Sequence, residues 1–90
     1  MNYRYTATKR FWTNFYALTG EQKRAARMAW AIFKMDPFDS RLGTHKIHKL
    51  RGIARHTIYG VRVGDDLRAI FRIDGDRVTT LDIGAHSVYE

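Results

Sequence analysis

The hydrophobic pattern along the chain opens with a period of two residues, shifts to the helical period of about 3.6, and returns to two. Residues 2–7 (NYRYTA) alternate, with Tyr3, Tyr5 and Ala7 on one side, which predicts an opening strand. Residues 9–18 (KRFWTNFYAL) place Phe11, Phe15 and Leu18 at helical spacing behind Thr8, whose hydroxyl suits an N-cap. Thr19-Gly20-Glu21-Gln22 then fits a capping box, in which the threonine and glutamine side chains satisfy each other's backbone amides. Behind it Ala25, Met28, Ala29, Ile32 and Phe33 follow the i, i+3, i+4, i+7, i+8 spacing of one helix face. Asp36-Pro37 ends that helix, because the proline ring pushes the preceding residue out of the helical region. Two helices joined at Thr19-Gly20 make an α-hairpin. Trp12, Tyr16 and Trp30 are assigned to the core and to helix contacts.

The last third alternates again. Residues 58–63 (IYGVRV), 67–73 (LRAIFRI) and 77–83 (RVTTLDI) read as strands separated by Gly64-Asp65-Asp66 and Asp74-Gly75-Asp76, both with the chemistry of short hairpin loops. The order is β-α-α-β-β-β. The predicted class is α+β, a single domain over residues 1–90 in which the α-hairpin covers one face of a curved antiparallel sheet. Three-residue loops set Val63 opposite Leu67, Val61 opposite Ala69 and Tyr59 opposite Phe71. In the second hairpin they set Phe71 opposite Thr79, Ala69 opposite Leu81 and Leu67 opposite Ile83. These positions form the expected core face.

The reverse face then holds a conflict. Arg62 falls opposite Arg68, a like-charge pair that costs a few tenths to about 1 kcal/mol, and Arg68 falls opposite Asp82. Two readings stay open: an Arg68–Asp82 pair that serves the fold, or two guanidinium groups waiting for an anion. Guanidinium forks suit a phosphate, to which they offer paired donors and no proton to lose. The strand bearing Asp82 runs into LDIGAHSVYE, which brings His86 and Tyr89 within reach of the same surface. A phosphate, two arginines, an imidazole and a phenol are a set suited to metal-free RNA cleavage, in which the 2′-hydroxyl attacks the adjacent phosphorus. Solvated His86 and packed Tyr89 are the alternative.

Charge strengthens the anion reading. Sixteen Lys and Arg against nine Asp and Glu give a net charge of +7, which points to a polyanionic partner. The connector, residues 38–57, concentrates Arg41, Lys46, Lys49, Arg51 and Arg55 against the single acid Asp39. Its His45-x-x-His48 spacing is not read as a metal site, since no cysteine or nearby acid completes a ligand set. Without cysteine there is no disulfide framework. The N-terminus lacks the apolar stretch of a signal peptide, and no run is long enough to span a membrane, so the expected location is the cytoplasm.

Together HKLRG (48–52), Tyr59-x-x-Arg62-Val63, Asp66-Leu67-Arg68-Ala69-Ile70-Phe71, Gly75-Asp76 and LDIGAHSVYE resemble the RelE/ParE superfamily of toxins from bacterial toxin–antitoxin systems. The resemblance covers nearly the whole chain and implies the same β-α-α-β-β-β order. For the RelE-like branch it implies an endoribonuclease that cuts mRNA in the ribosomal A site without metal or other cofactor, held in check by a cognate antitoxin protein. Carried over residue by residue, it implies catalytic roles for Arg68, His86 and Tyr89 and phosphate binding by Arg62; Lys46, Lys49 and Arg51 of the basic connector are expected as further RNA contacts on charge alone. Which of His86 and Tyr89 is acid and which base stays open. ParE-like relatives share the fold, inhibit DNA gyrase, and generally lack this set; a degenerate member that only binds its antitoxin is the third alternative. One departure stands out. RelE-type members often carry a lysine where this chain has Gly60, so one cation is missing.

Overall fold

A computed structural model describes residues 2–47 and 57–85. β1 (Arg4–Ala7) leads through Thr8 into α1 (Lys9–Tyr16). The Thr8 hydroxyl oxygen accepts the Phe11 N–H at 3.1 Å, as an N-cap should, and its O–H donates to the Leu81 carbonyl at 2.7 Å, tying the helix start to the sheet. α2 (Gly20–Phe33) opens on the full capping box: Thr19 Oγ1 accepts the Gln22 N–H at 3.1 Å, and Gln22 Oε1 accepts the Thr19 N–H at 3.0 Å. A 3₁₀ turn (Ser40–Leu42) follows, and then β2 (His45–Lys46), β3 (Ile58–Val63), β4 (Leu67–Asp74) and β5 (Arg77–Ala85).

The five strands lie in the order β1-β5-β4-β3-β2. The architecture is the expected α+β one, with two corrections to the sheet. β1 runs parallel to β5, which makes the sheet mixed rather than wholly antiparallel. β2 is an extra edge strand inside what the sequence presents as a connector; it pairs His45 with Gly60 and Lys46 with Tyr59.

The α-hairpin buries Phe15, Ala26 and Phe33 against Val61, Val63, Leu67, Ala69, Phe71, Val78 and Ile83 of the sheet. Phe71 is the centre of this layer: it is fully buried, meets Phe33 edge-on at 4.9 Å and stacks on Tyr59 at 5.2 Å. The helical periodicity is right, but Met28 and the aromatics Trp12, Tyr16 and Trp30 are exposed rather than in the core, while Ala26 is buried. A smaller buried cluster, Ile47, Ile58 and Ile70 with Leu81 against it, lies on the opposite side of the sheet.

The first hairpin has the predicted register, Tyr59 with Phe71, Val61 with Ala69, Arg62 with Arg68 and Val63 with Leu67. The second does not. Asp74 pairs with Arg77, so the loop is the two residues Gly75-Asp76, and Gly75 takes the positive φ of 61° that a primed two-residue turn requires. Further along, Phe71 pairs with Thr80 but Ile70 with Asp82, which leaves Leu81 as the extra residue of a β-bulge. Each event shifts the register by one. Ile83 therefore stays on the core face but faces Ala69, Thr80 replaces Thr79 there, and Leu81 joins the reverse-side cluster.

Candidate phosphate-binding face

β3 and β4 put alternate residues on the two sides of the sheet. Val61, Val63, Leu67 and Ala69 belong to the helix-side core, so Arg62 and Arg68 between them project from the reverse face, directly opposite each other. The Arg68–Asp82 pairing is not formed. The bulge sets Gly84 opposite Arg68 and moves Asp82 opposite Ile70. The Asp82 carboxylate is instead consumed by α1 and its own backbone: Arg10 Nε lies 3.0 Å from Oδ2, and Oδ1 accepts from Asn14 Nδ2 and from the Ile83 N–H at 2.8 Å.

Other nearby acids are taken as well. Asp39 forms a forked pair with Arg41, both bonds at 3.0 Å, and these hydrogen bonds hold its carboxyl down at about 2. Arg72, next along the reverse face of β4, has its Nε 3.2 Å from Asp74 Oδ2. Among the described residues no carboxylate pairs with Arg62 or Arg68. The Arg68 guanidinium donates through Nη1 to the Leu67 carbonyl at 2.8 Å, which fixes it beside its own strand. Arg62 leans to the other side, towards Gly43: a β-carbon at that glycine would sit 3.8 Å from its Cζ and Nη2. The two cations are thus held by different neighbours, Arg68 by the Leu67 carbonyl and Arg62 beside Gly43, although their strand positions face each other.

A third group shares this face of the sheet. β2 places the His45 ring over Gly60, where a β-carbon on the glycine would come within 3.3 Å of His45 Cε1 and 2.9 Å of Ile47 Cδ1. The room that a longer residue 60 would use is therefore already filled from β2. His45 Nδ1 lies 3.0 Å from the Gly43 carbonyl. The sequence marks His45 only as half of a His-x-x-His spacing; its place on this face is not legible there, because a two-residue strand has no period to read.

Of the expected site residues, the structure brings together Arg62 and Arg68. Lys46 is exposed, but it sits opposite Tyr59, whose ring belongs to the helix-side core, so Lys46 lies on the other side of the sheet from the arginines. Lys49, Arg51, His86 and Tyr89 lie outside the described residues. Among the described residues no group of three or more metal-ligating side chains gathers, and no helix is long and apolar enough to cross a membrane.

The helix side has a separate feature. An apolar cavity of about 300 Å³ opens between the α-hairpin and the sheet, with Phe15, Phe33, Val61 and Phe71 at its base. Trp12, Tyr16 and Trp30, all exposed, line it too. Cations border it: Arg27 Cζ is 5.7 Å from the Phe15 ring, and Lys23 Nζ is 5.9 Å from the Tyr16 ring.

No family model and no curated protein matches the chain. Solved structures do. A chain of the archaeal RelE–RelB complex from Pyrococcus horikoshii superposes with a TM-score of 0.72 at 20% identity, covering 94% of this chain and 96% of that one. A copper-bound mutant toxin from Helicobacter pylori gives 0.65 at 15% identity, covering 98% and 99%. A chain of the Escherichia coli DinJ–YafQ complex gives 0.64 at 13% identity, covering 96% of both. The fold is RelE-like over nearly its whole length.

Proposed function

We propose that this chain is the toxin of a toxin–antitoxin pair and an endoribonuclease that cuts mRNA in the ribosomal A site. One observation supports the reading: Arg62 and Arg68 occupy facing positions on the reverse side of the sheet, and no carboxylate of the described residues pairs with either. A fold gains nothing from that pair. A phosphodiester does, because two guanidinium forks can hold its non-bridging oxygens and gain strength as charge builds there in the transition state.

In this reading the RNA supplies its own nucleophile. The 2′-oxygen attacks the adjacent phosphorus, the bond to the 5′-oxygen breaks, and the products end in a 2′,3′-cyclic phosphate and a 5′-hydroxyl. Arg62 and Arg68 bind the scissile phosphate, and Arg68 is the one whose charge is needed most in the transition state. His86 and Tyr89 move protons from the C-terminal segment. Lys49 and Arg51 contact flanking phosphates; Lys46, on the far side of the sheet, is left to contacts with ribosomal RNA. The chemistry needs no cofactor, since arginine supplies the charge that a metal ion would supply elsewhere.

The partner is an antitoxin with an acidic amphipathic segment. Its apolar side chains would fill the cavity between the α-hairpin and the sheet, and its carboxylates would meet Lys23 and Arg27 at the edge. The RelB and DinJ partners of the structural neighbours support a partner of this class.

The test is cleavage of an mRNA on programmed ribosomes, mapped by primer extension. Wild-type protein should cut within the A-site codon, and Arg68→Ala should not. Intact mRNA alongside inhibited gyrase supercoiling would replace this reading with the ParE-like one.

A further inference from the structure

We infer that His45 is a catalytic residue of the phosphate-binding face: the base that takes the proton from the attacking 2′-hydroxyl. The inference rests on the RNA-cleaving reading above and names a group that the sequence pattern does not.

His45 Nδ1 is 3.0 Å from the Gly43 carbonyl oxygen. A carbonyl can only accept, so Nδ1 carries the proton, and in the neutral ring Nε2 holds the lone pair. An imidazole oriented by a carbonyl at one nitrogen and open at the other is the arrangement of a general base. Nε2 has no hydrogen-bond partner among the described residues, and His45 is exposed.

Position is the second step. His45 pairs with Gly60, and its Cε1, the atom bonded to Nε2, comes within 3.3 Å of where a side chain at Gly60 would begin. Gly60 shares the reverse face with Arg62, two residues along the same strand and so about 7 Å away. Arg62 stands opposite Arg68. Gly43 lies next to both groups: its carbonyl oxygen is 3.0 Å from the imidazole Nδ1, and a β-carbon on it would sit 3.8 Å from the Arg62 Cζ. Gly43 has φ 58° and closes the 3₁₀ turn, so one rigid corner sets the base and the first cation relative to each other.

The chemistry balances. The proton leaves the 2′-oxygen for His45 Nε2 and the 2′-oxygen–phosphorus bond forms. The bond from phosphorus to the 5′-oxygen breaks, and that oxygen takes a proton from the acid at the C-terminal end. His45 returns its proton to water between turnovers. The imidazole also meets the shortage at Gly60: a ring from β2, positively charged once it has taken the proton, stands where a longer side chain from β3 would have reached.

The experiment uses the intact protein, ribosomes programmed with an mRNA carrying one cleavable codon, and the same mRNA with sulfur replacing the 5′-oxygen at the scissile bond. Sulfur leaves without a proton and so removes the need for an acid, not for a base. His45→Ala and His45→Asn should each slow cleavage of both RNAs by about 100-fold or more. The asparagine amide can still donate to the Gly43 carbonyl, so this variant keeps the corner and loses only the base. Affinity for an uncleavable mRNA with a 2′-deoxy residue at the site should stay within about twofold for both variants, as expected of a group acting on the proton rather than on phosphate binding. Wild-type rates in His45→Asn would show the ring to be a strut and overturn the inference. So would rescue of His45→Ala by the sulfur substrate, or a loss of affinity that accounts for the loss of rate. An inert wild-type protein would instead defeat the RNA-cleaving reading itself, and this inference with it.

Discussion

At the scale of the residue, the energetics of Arg62 and Arg68 separate fold from function. Directly opposed like charges cost a few tenths to about 1 kcal/mol, and a domain of this size has only about 5–15 kcal/mol of net stability. If the pair serves an anion, Arg68→Ala removes a transition-state contact and relieves a repulsion at once. Cleavage should fall about 100- to 1000-fold, while the melting temperature stays level or rises slightly. Arg68→Lys should recover little of the rate, since an ammonium cannot form the paired bonds of a guanidinium. Ribosome-based cleavage and thermal melts of the same preparations check both halves. A clear fall in melting temperature with cleavage intact would make the pair structural.

At the scale of the element, what the sequence reveals depends on whether the signal is local. Both helix starts are legible because a cap is a matter of four adjacent residues, and Thr8, Thr19 and Gln22 all sit where their side chains predict. The first hairpin is legible because its loop and its alternation agree. The second is not. Asp74 has the chemistry of a turn residue but closes the ladder opposite Arg77, and the bulge at Leu81 has no signature in Thr-Thr-Leu-Asp. Two small shifts were enough to give Asp82 to α1 instead of Arg68. β2 is illegible for a related reason: two residues become a strand only through the partner they meet, and His45 stays hidden with them.

The bulge has an energetic signature of its own. β1 ends at Ala7, opposite Thr80, and beyond that point α1 lies along β5, with Asp82 accepting from Asn14 Nδ2 and the Ile83 N–H. Asp82→Ala should cost about 2 kcal/mol, because it strands these two donors in a part-buried setting. In a domain of this size that is a fall of about 10 °C in Tm. Cleavage per folded molecule should be unchanged. A rate loss far exceeding the loss of folded protein would mean that Asp82 serves the phosphate face after all.

At the scale of the whole molecule, the two surfaces to which the proposed function assigns RNA and antitoxin lie on opposite sides of one sheet. The reverse face holds His45, Arg62 and Arg68. The helix side holds the aromatic-lined cavity. A partner seated in the cavity therefore need not touch the arginines to be bound, and neutralisation requires it to reach round the edge or to block ribosome entry by bulk. Trp30→Ala should weaken antitoxin binding by about 30-fold, in the range of a buried aromatic anchor, and leave mRNA cleavage by the free toxin intact. Calorimetric titration of the cognate antitoxin, sought in the adjoining reading frame, checks the first half. Equal affinity for the variant would move the docking surface elsewhere.

Net charge gives the last test, and it distinguishes general attraction from a specific grip. If this chain, at +7, takes RNA as proposed, part of the binding comes from releasing counterions, and log K should fall with log salt by about 0.7 for each phosphate neutralised on a single strand. If Arg62 and Arg68 share one phosphodiester, the double alanine variant should lower that slope by about 0.7, not by the sum expected of two separate phosphates. Substituting Arg4, which pairs with Asp76 beside the second hairpin turn, should leave the slope nearly unchanged. The measurement is fluorescence anisotropy of a short 2′-deoxy-substituted RNA across a salt series, with all variants at matched folded concentration. A drop of about 1.4 for the double variant would mean two phosphates and two independent contacts, and the pair would then track the RNA backbone instead of clamping the bond that breaks.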